Sequence, residues 1–203
     1  MKNMLKDAAI LFAITLIAGA VLGFVYDVTK APVAEQEAKA KSEACREVFA
    51  DAAAFEALEG SEEEMTAVAA AGGYAKASIN EVLTASDASG ASLGYVITVT
   101  SHEGYGGDIQ FSMGIRNDGT LNGISILSIS ETAGLGMRAE EVLKPQFANK
   151  NVAQFTYTKS GAVSDDQIDA ISSATITTSA VTNAVNAGLY YFQTELKGGS
   201  SNE

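Results

Sequence analysis

The chain has one cysteine, one histidine and no tryptophan in 203 residues, and each scarcity closes off some chemistry. Cys45 alone cannot form an internal disulfide, nor can it hold an iron–sulfur cluster or a Cys-rich zinc site. His102 has Glu103 beside it but no second histidine to complete a common metal triad. No metal site is therefore expected, and any redox chemistry must come from an organic cofactor or a partner. Basic residues are also few, 13 against 25 acidic ones, for a formal net charge of −12. A chain this acidic lacks the Lys/Arg surplus that neutralises phosphates, which excludes nucleic acid as a partner. It has no polybasic lipid-binding patch either, and the acidity is read as ordinary solubility. Cys45 is read as a packing residue, because Ala38, Cys45, Val48, Phe49 and Ala52 fall near one helical face.

Charge is absent altogether from residues 8–26, AAILFAITLIAGAVLGFVY, nineteen residues in a row. About 20 apolar residues span a hydrocarbon core, so this stretch is long enough to cross a bilayer. A buried core helix would carry polar residues on some face, and this one does not. Lys2 and Lys6 precede the run, and Asp27 and Lys30 follow it. The run fits a cleaved signal peptide, with Ala18-Gly19-Ala20 as a small-residue site, or an uncleaved signal anchor. Its length favours the anchor. In either case the short basic tail reads as cytoplasmic and residues 27–203 as lying outside.

Beyond the anchor, residues 33–58 are rich in Ala, Glu and Lys with apolar residues at helical spacing, which predicts a helix. Residues 60–64, Gly-Ser-Glu-Glu-Glu, break it, and the Ala/Gly stretch to Gly73 reads as a loosely ordered connection. The period then changes. Residues 92–100 and 108–115 are β-branched and partly alternating, Asn117-Asp118-Gly119-Thr120 supplies a turn, and residues 121–129 supply a third strand. Residues 139–147 predict a short helix and residues 177–196 a final one. The fold class is therefore α+β, with helices packed on an antiparallel sheet. No internal repeat is evident.

The segment Asp169-Ala170-Ile171-Ser172-Ser173-Ala174-Thr175-Ile176-Thr177-Thr178 stands directly before the last helix. It is a run of hydroxyls and small side chains where first-turn N–H groups lack acceptors and the helix dipole is positive. Such a place receives phosphate readily. By spacing alone, the more ordinary reading is that these hydroxyls cap the helix. Two further segments carry glycines in short loops: Gly104-Tyr105-Gly106-Gly107 between two strands, and Glu131-Thr132-Ala133-Gly134-Leu135-Gly136 after the third.

Taken together and in this order, the three segments resemble the FMN-binding domains of ion-translocating electron-transport complexes. The first resembles their Ser-Gly-Ala-Thr motif with its upstream Asp, with Ser173 standing where the family usually has Gly. The others resemble its Gly-Tyr-Gly-Gly turn and Glu-Thr-Pro-Gly-Leu-Gly loop, with Ala133 in place of Pro. The resemblance covers the whole chain, including the single anchor, and is closest to the G subunits of Rnf-type ferredoxin:NAD oxidoreductases. The C subunit of the sodium-pumping NADH:quinone reductase shares the motif but is typically longer. What this implies is a covalent FMN, joined through its phosphate to Thr175 by a flavin transferase that uses FAD. Ser172, Ser173, Ala174 and Thr177 would surround the phosphate, and Tyr105, Glu131, Thr132, Gly134, Leu135 and Gly136 would lie against the flavin.

The implied role is that of an electron-carrying component of a membrane translocase, working among integral-membrane and iron–sulfur subunits and not catalytic alone. The implied organisation is a tail and transmembrane anchor over residues 1–30, a helical connector over 31–75, the FMN-binding domain over 76–197 and a flexible tail over 198–203. Two rival classes compete with this reading. One is an extracytoplasmic binding or sensory module with no redox turnover. The other is an anchoring protein in which the Ser/Thr run only caps a helix.

Overall fold

The computed structural model of the chain describes residues 2–197; the tail expected over 198–203 lies outside them. The chain divides into two compact units after Ala40. The first is helical and belongs to α1, which runs unbroken from Lys2 to Val48. None of its apolar window is buried, which separates it from a core helix and leaves a helix long and apolar enough to cross a membrane. Its threonine hydroxyls are satisfied within the helix. The Thr15 hydroxyl donates to the Leu11 carbonyl at 3.1 Å, and the Thr29 hydroxyl donates to the Val25 carbonyl at 2.8 Å. A lipid environment demands this internal satisfaction.

The second unit begins with the last two turns of α1. The helix stops at Val48 rather than reaching Leu58 as its composition predicted, and residues Ala54–Ala57 form strand β1 instead. Helix propensity is a weak prior that tertiary packing overrides. Here Phe49 is fully buried, and Phe55 pairs with Ala85 of the neighbouring strand. The stretch read as a loose connection is the ordered helix α2, Glu62–Ala71. Its start is a capping box. The Glu64 N–H donates to the Ser61 hydroxyl and the Ser61 N–H donates to the Glu64 carboxylate, so two otherwise orphaned donors are satisfied. Met65 and Ala69 turn into the core, and Gly72 ends the helix where a Cβ would strike the Tyr190 ring at 2.5 Å.

Strands β2 (Ala77–Ser86), β3 (Ser92–Ser101), β4 (Ile109–Arg116) and β5 (Leu121–Ile129) follow as a meander. With β1 they form one five-stranded sheet in the order β1-β2-β3-β4-β5, each pair antiparallel. The region expected as one short helix over 139–147 is two short turns, the α-helical α3, Ala139–Val142, and a 3-10 turn, Lys144–Phe147. Strands β6 (Thr156–Thr158) and β7 (Gln167–Asp169) pair in parallel and lead into α4, Thr175–Tyr191. The fold is α+β.

Alternate residues on each strand face opposite sides of the sheet. Ile97, Val99, Phe111 and Met113 join Ala180, Val181, Ala184 and Val185 of α4 in the main core. The approach is close: a Cβ on Gly188 would lie 2.2 Å from the Met113 sulfur. Val96 points the other way and packs with Cys45, Val48, Phe49 and Ala85. Cys45 is a packing residue, and burial, followed by the charge of Glu81, pushes its thiol above the ordinary range.

Candidate functional site

Chain segments distant in sequence meet at one end of the sheet because of its register. Ser101 pairs with Ile109, and Ile109 with Ile129. The β3–β4 loop and the loop that leaves β5 therefore emerge side by side, and the N-terminus of α4 arrives beside them. Gly106 approaches so closely that a Cβ there would lie 2.0 Å from the Ser130 carbonyl oxygen.

The turn into α4 is held by Thr178 rather than by the hydroxyls before it. Its side chain, fully buried, donates to the Ala174 carbonyl at 2.9 Å and accepts from the Ile171 N–H at 3.1 Å. The Ala174 N–H bonds the Ile171 carbonyl at 3.1 Å. The N-cap is Ala174, which has no hydroxyl, and no side chain caps this helix. The capping role expected from spacing is thus not what the Ser/Thr run performs. Ser172 and Ser173 are exposed, and the N–H groups of Thr175, Ile176 and Thr177 have no acceptor within the helix. Ser173 adopts φ 63°, the left-handed region. That conformation accounts physically for a motif that usually has glycine there.

Facing this turn, Glu131 is buried at the base of a cleft of about 540 Å³. The cleft is lined by Tyr105, Glu131, Thr132, Leu135, Gly136, Ser173, Ala174, Thr175, Ile176 and Thr177. Of the residues singled out from sequence, Ser172 and Gly134 do not line it. Both are exposed, and a Cβ on Gly134 would meet open space, although its φ of 76° favours glycine. Ile176 is the lining residue that sequence reasoning passed over. It is 53% exposed at the second position of α4, and an outward-facing isoleucine between two threonines is the signal that could have found it. Asp169, upstream in the motif, does not line the cleft; its Oδ1 accepts the Ala162 N–H at 2.7 Å. His102 sits at the base of the β3–β4 loop, with Nδ1 on Asp108 and Nε2 on the Ser78 hydroxyl.

The cleft has two characters. One side is the start of α4, with uncapped N–H groups at a positive helix end and the hydroxyl of Thr175, which suits an anion such as phosphate. The mouth carries the exposed side chains of Tyr105, Leu135 and Ile176. Its volume is within the range of small-molecule sites. A ligand with a phosphate at one end and a broad apolar ring at the other fits the residues present.

Residues 104–190 match the FMN-binding domain family, and residues 1–48 match the RnfG N-terminal region. The chain is 31% identical over 194 residues to the G subunit of the Na(+)-translocating ferredoxin:NAD(+) oxidoreductase complex of Acetobacterium woodii, covering 95% of this chain and 93% of that one. It is 32% identical over 195 residues to the G subunit of the ion-translocating oxidoreductase complex of Methanosarcina acetivorans, covering 94% and 95%. Among solved structures, the C subunit of the Na(+)-translocating NADH-quinone reductase from Parabacteroides distasonis is similar, with a TM-score of 0.50 and 19% identity over 75% of this chain and 80% of that one. At that identity the likeness is one of fold alone.

Proposed function

Because the chain belongs to the family of G subunits of ion-translocating oxidoreductase complexes, we propose that it carries FMN esterified through its phosphate to Thr175. The chain is an electron-transport subunit with an FMN-binding domain. The observation that carries the finer reading is the position of Thr175. It is the first residue of α4, it lines the cleft, and it stands at the uncapped helix N-terminus.

Attachment exchanges one phosphate bond for another. The Thr175 hydroxyl oxygen attacks the FMN phosphorus of FAD, the bond to the AMP half breaks, AMP leaves with the electron pair, and the hydroxyl proton is released. A flavin transferase supplies the catalysis. The N–H groups of Ile176 and Thr177 then hold the ester phosphate, and the glycine loops shape the cleft around the ring. When bound, FMN supplies the electron-carrying capacity, and a phosphate tether leaves its ring system unmodified.

In the complex the carrier passes electrons between iron–sulfur and integral-membrane partner subunits, in the direction from ferredoxin to NAD. Residues 1–30 form an uncleaved anchor with the N-terminus cytoplasmic and the FMN-binding domain outside. The anchor has no Asp, Glu, His, Lys or Arg between residues 8 and 26, so the translocated ion crosses through a different component of the complex.

The test is co-expression with a flavin transferase, followed by ultraviolet fluorescence of the denatured band and peptide mass mapping. Wild type should carry a flavin adduct on the peptide containing Thr175. Thr175→Val, which keeps the branched shape but removes the oxygen, should fold and carry none. Thr177→Val should keep the adduct. An adduct that survives in Thr175→Val refutes the assignment.

A further inference from the structure

Three segments distant in sequence converge on one carboxylate. Glu131 is 8% exposed, and burying a carboxylate is costly unless its oxygens are hydrogen-bonded. The two oxygens serve different segments. The Thr177 hydroxyl, in the first turn of α4, donates to Oε2 at 2.9 Å, and the Gly106 N–H of the β3–β4 loop donates to Oε1 at 3.3 Å. Two glycines record how tightly the backbone is drawn in. A Cβ on Gly136 would lie 2.6 Å from both Glu131 Oε2 and Thr177 Oγ1, and one on Gly104 would lie 2.8 Å from Glu131 Oε1. The same side chain lines the cleft together with Thr175.

We propose that Glu131 is the positioning residue of the cleft. It fastens the β3–β4 loop and the first turn of α4 to the loop after β5, and so holds Thr175 and the N–H groups beside it in the arrangement that takes a phosphate ester. This role rests on the reading of Thr175 as the ester site, yet the fastening itself belongs to the chain before any flavin is attached. A carboxylate suits the task because it offers two acceptor oxygens and no donor. Gly106 N–H can only donate, whereas the Thr177 hydroxyl can donate or accept. Glutamine therefore reproduces both bonds, its carbonyl oxygen on Gly106 and its amide N–H on Thr177. Alanine reproduces neither.

The experiment uses the full-length chain in detergent as wild type, Glu131→Gln and Glu131→Ala. Amide hydrogen exchange is measured first without flavin. FAD and a flavin transferase are then added, and flavin incorporation is followed by fluorescence of the denatured band. In Glu131→Ala, exchange over residues 104–107, where the Gly106 N–H loses its acceptor, should rise about tenfold and incorporation should slow about tenfold, with the sheet and the rest of α4 protected as in wild type. Glu131→Gln should stay within about threefold of wild type in both readouts. Wild-type exchange and incorporation in Glu131→Ala would overturn the proposal. So would Glu131→Gln failing as badly as alanine, which would make the charge rather than the two-point fastening the requirement. If alanine costs the whole fold its protection, Thr177→Val, which removes only one of the two bonds, decides: slowed incorporation with the sheet protected supports the role, and a wild-type rate overturns it. If wild type itself takes up no flavin, the Thr175 reading fails and the exchange measurement still judges the fastener.

Discussion

Replacing Ser173 with glycine should keep the fold and slightly raise its stability, whereas valine at the same place should lower it. Ser173 holds φ 63° in the turn that delivers Thr175 to the cleft. A non-glycine residue in the left-handed region costs about 1 kcal/mol or somewhat more. The side chain is exposed, so glycine gives up no packing. Against that gain stands the wider freedom of glycine in the unfolded chain, about 0.4–1 kcal/mol. The net effect of Ser173→Gly is a gain between zero and about 1 kcal/mol. Valine is β-branched and tolerates positive φ poorly, so it loses about 1–2 kcal/mol more than serine. The glycine and valine variants should then differ by about 2 kcal/mol, or roughly 4–8 °C in melting temperature for a unit of this size. Thermal unfolding of the full chain in detergent, followed by circular dichroism, reads this difference directly. Flavin incorporation should follow the same order, with glycine at or above the wild-type rate and valine below it. Equal melting temperatures for glycine and valine would refute the claim that the turn needs a left-handed residue here.

Thr178→Val should cost about 1–3 kcal/mol, because it orphans the buried Ile171 N–H, while leaving the Thr175 hydroxyl available; chemical denaturation and the fluorescent band check the two halves. Gly136→Ala should disturb flavin absorption through its collision with Glu131 and Thr177, whereas Gly134→Val should cost stability through its positive φ and leave the flavin spectrum unchanged. Burial works against ionisation of Glu47, but hydrogen bonds from Lys144 and Ser125 outweigh it and hold the carboxyl below its ordinary value. The Glu47 contribution is therefore present above the unfolded carboxyl value near pH 4.3 and is lost as pH falls through the lower folded value. Glu47→Gln should be less stable than wild type at pH 7, by under about 1 kcal/mol for so exposed a group, and the difference should vanish on acidification. Mass spectrometry of the membrane-extracted chain should find the N-terminal methionine intact or removed as a single residue; a mature start near Val21 would overturn the uncleaved anchor.

The strands β3, β4 and β5 were legible in sequence because each alternates one face into the main core, as Ile97 and Val99 do against Val96 and Thr98. Strand β2 was not. Asn80 and Glu81 interrupt its alternation where the pairing with β3 shifts register between Ile79 and Glu81, so the period of two is lost at that point. Helix α2 carried its signal openly in Ser61-Glu62-Glu63-Glu64, a start that looks like a break unless the Ser and Glu are read as a reciprocal pair. The extent of α1 was not legible, since Phe49 and Phe55 satisfy a helical pattern as well as a buried turn and an edge strand.

The cleft divides the same way. The hydroxyl run before α4 was visible as a phosphate-ready helix start, but sequence spacing could not say which hydroxyl is engaged elsewhere. That depends on Glu131, which is 46 residues from Thr177 along the chain and meets it only once β4 and β5 are in register. A slip of one residue in that pairing would turn the side chains of β5 to the opposite face and carry the loop after it out of place. The bulges at Gln110/Phe111 and Gly114/Ile115 are part of the register that is observed. The chemistry of the site is thus written locally in residues 172–178, while its geometry is set by a sheet that contributes no residue of its own to the cleft lining.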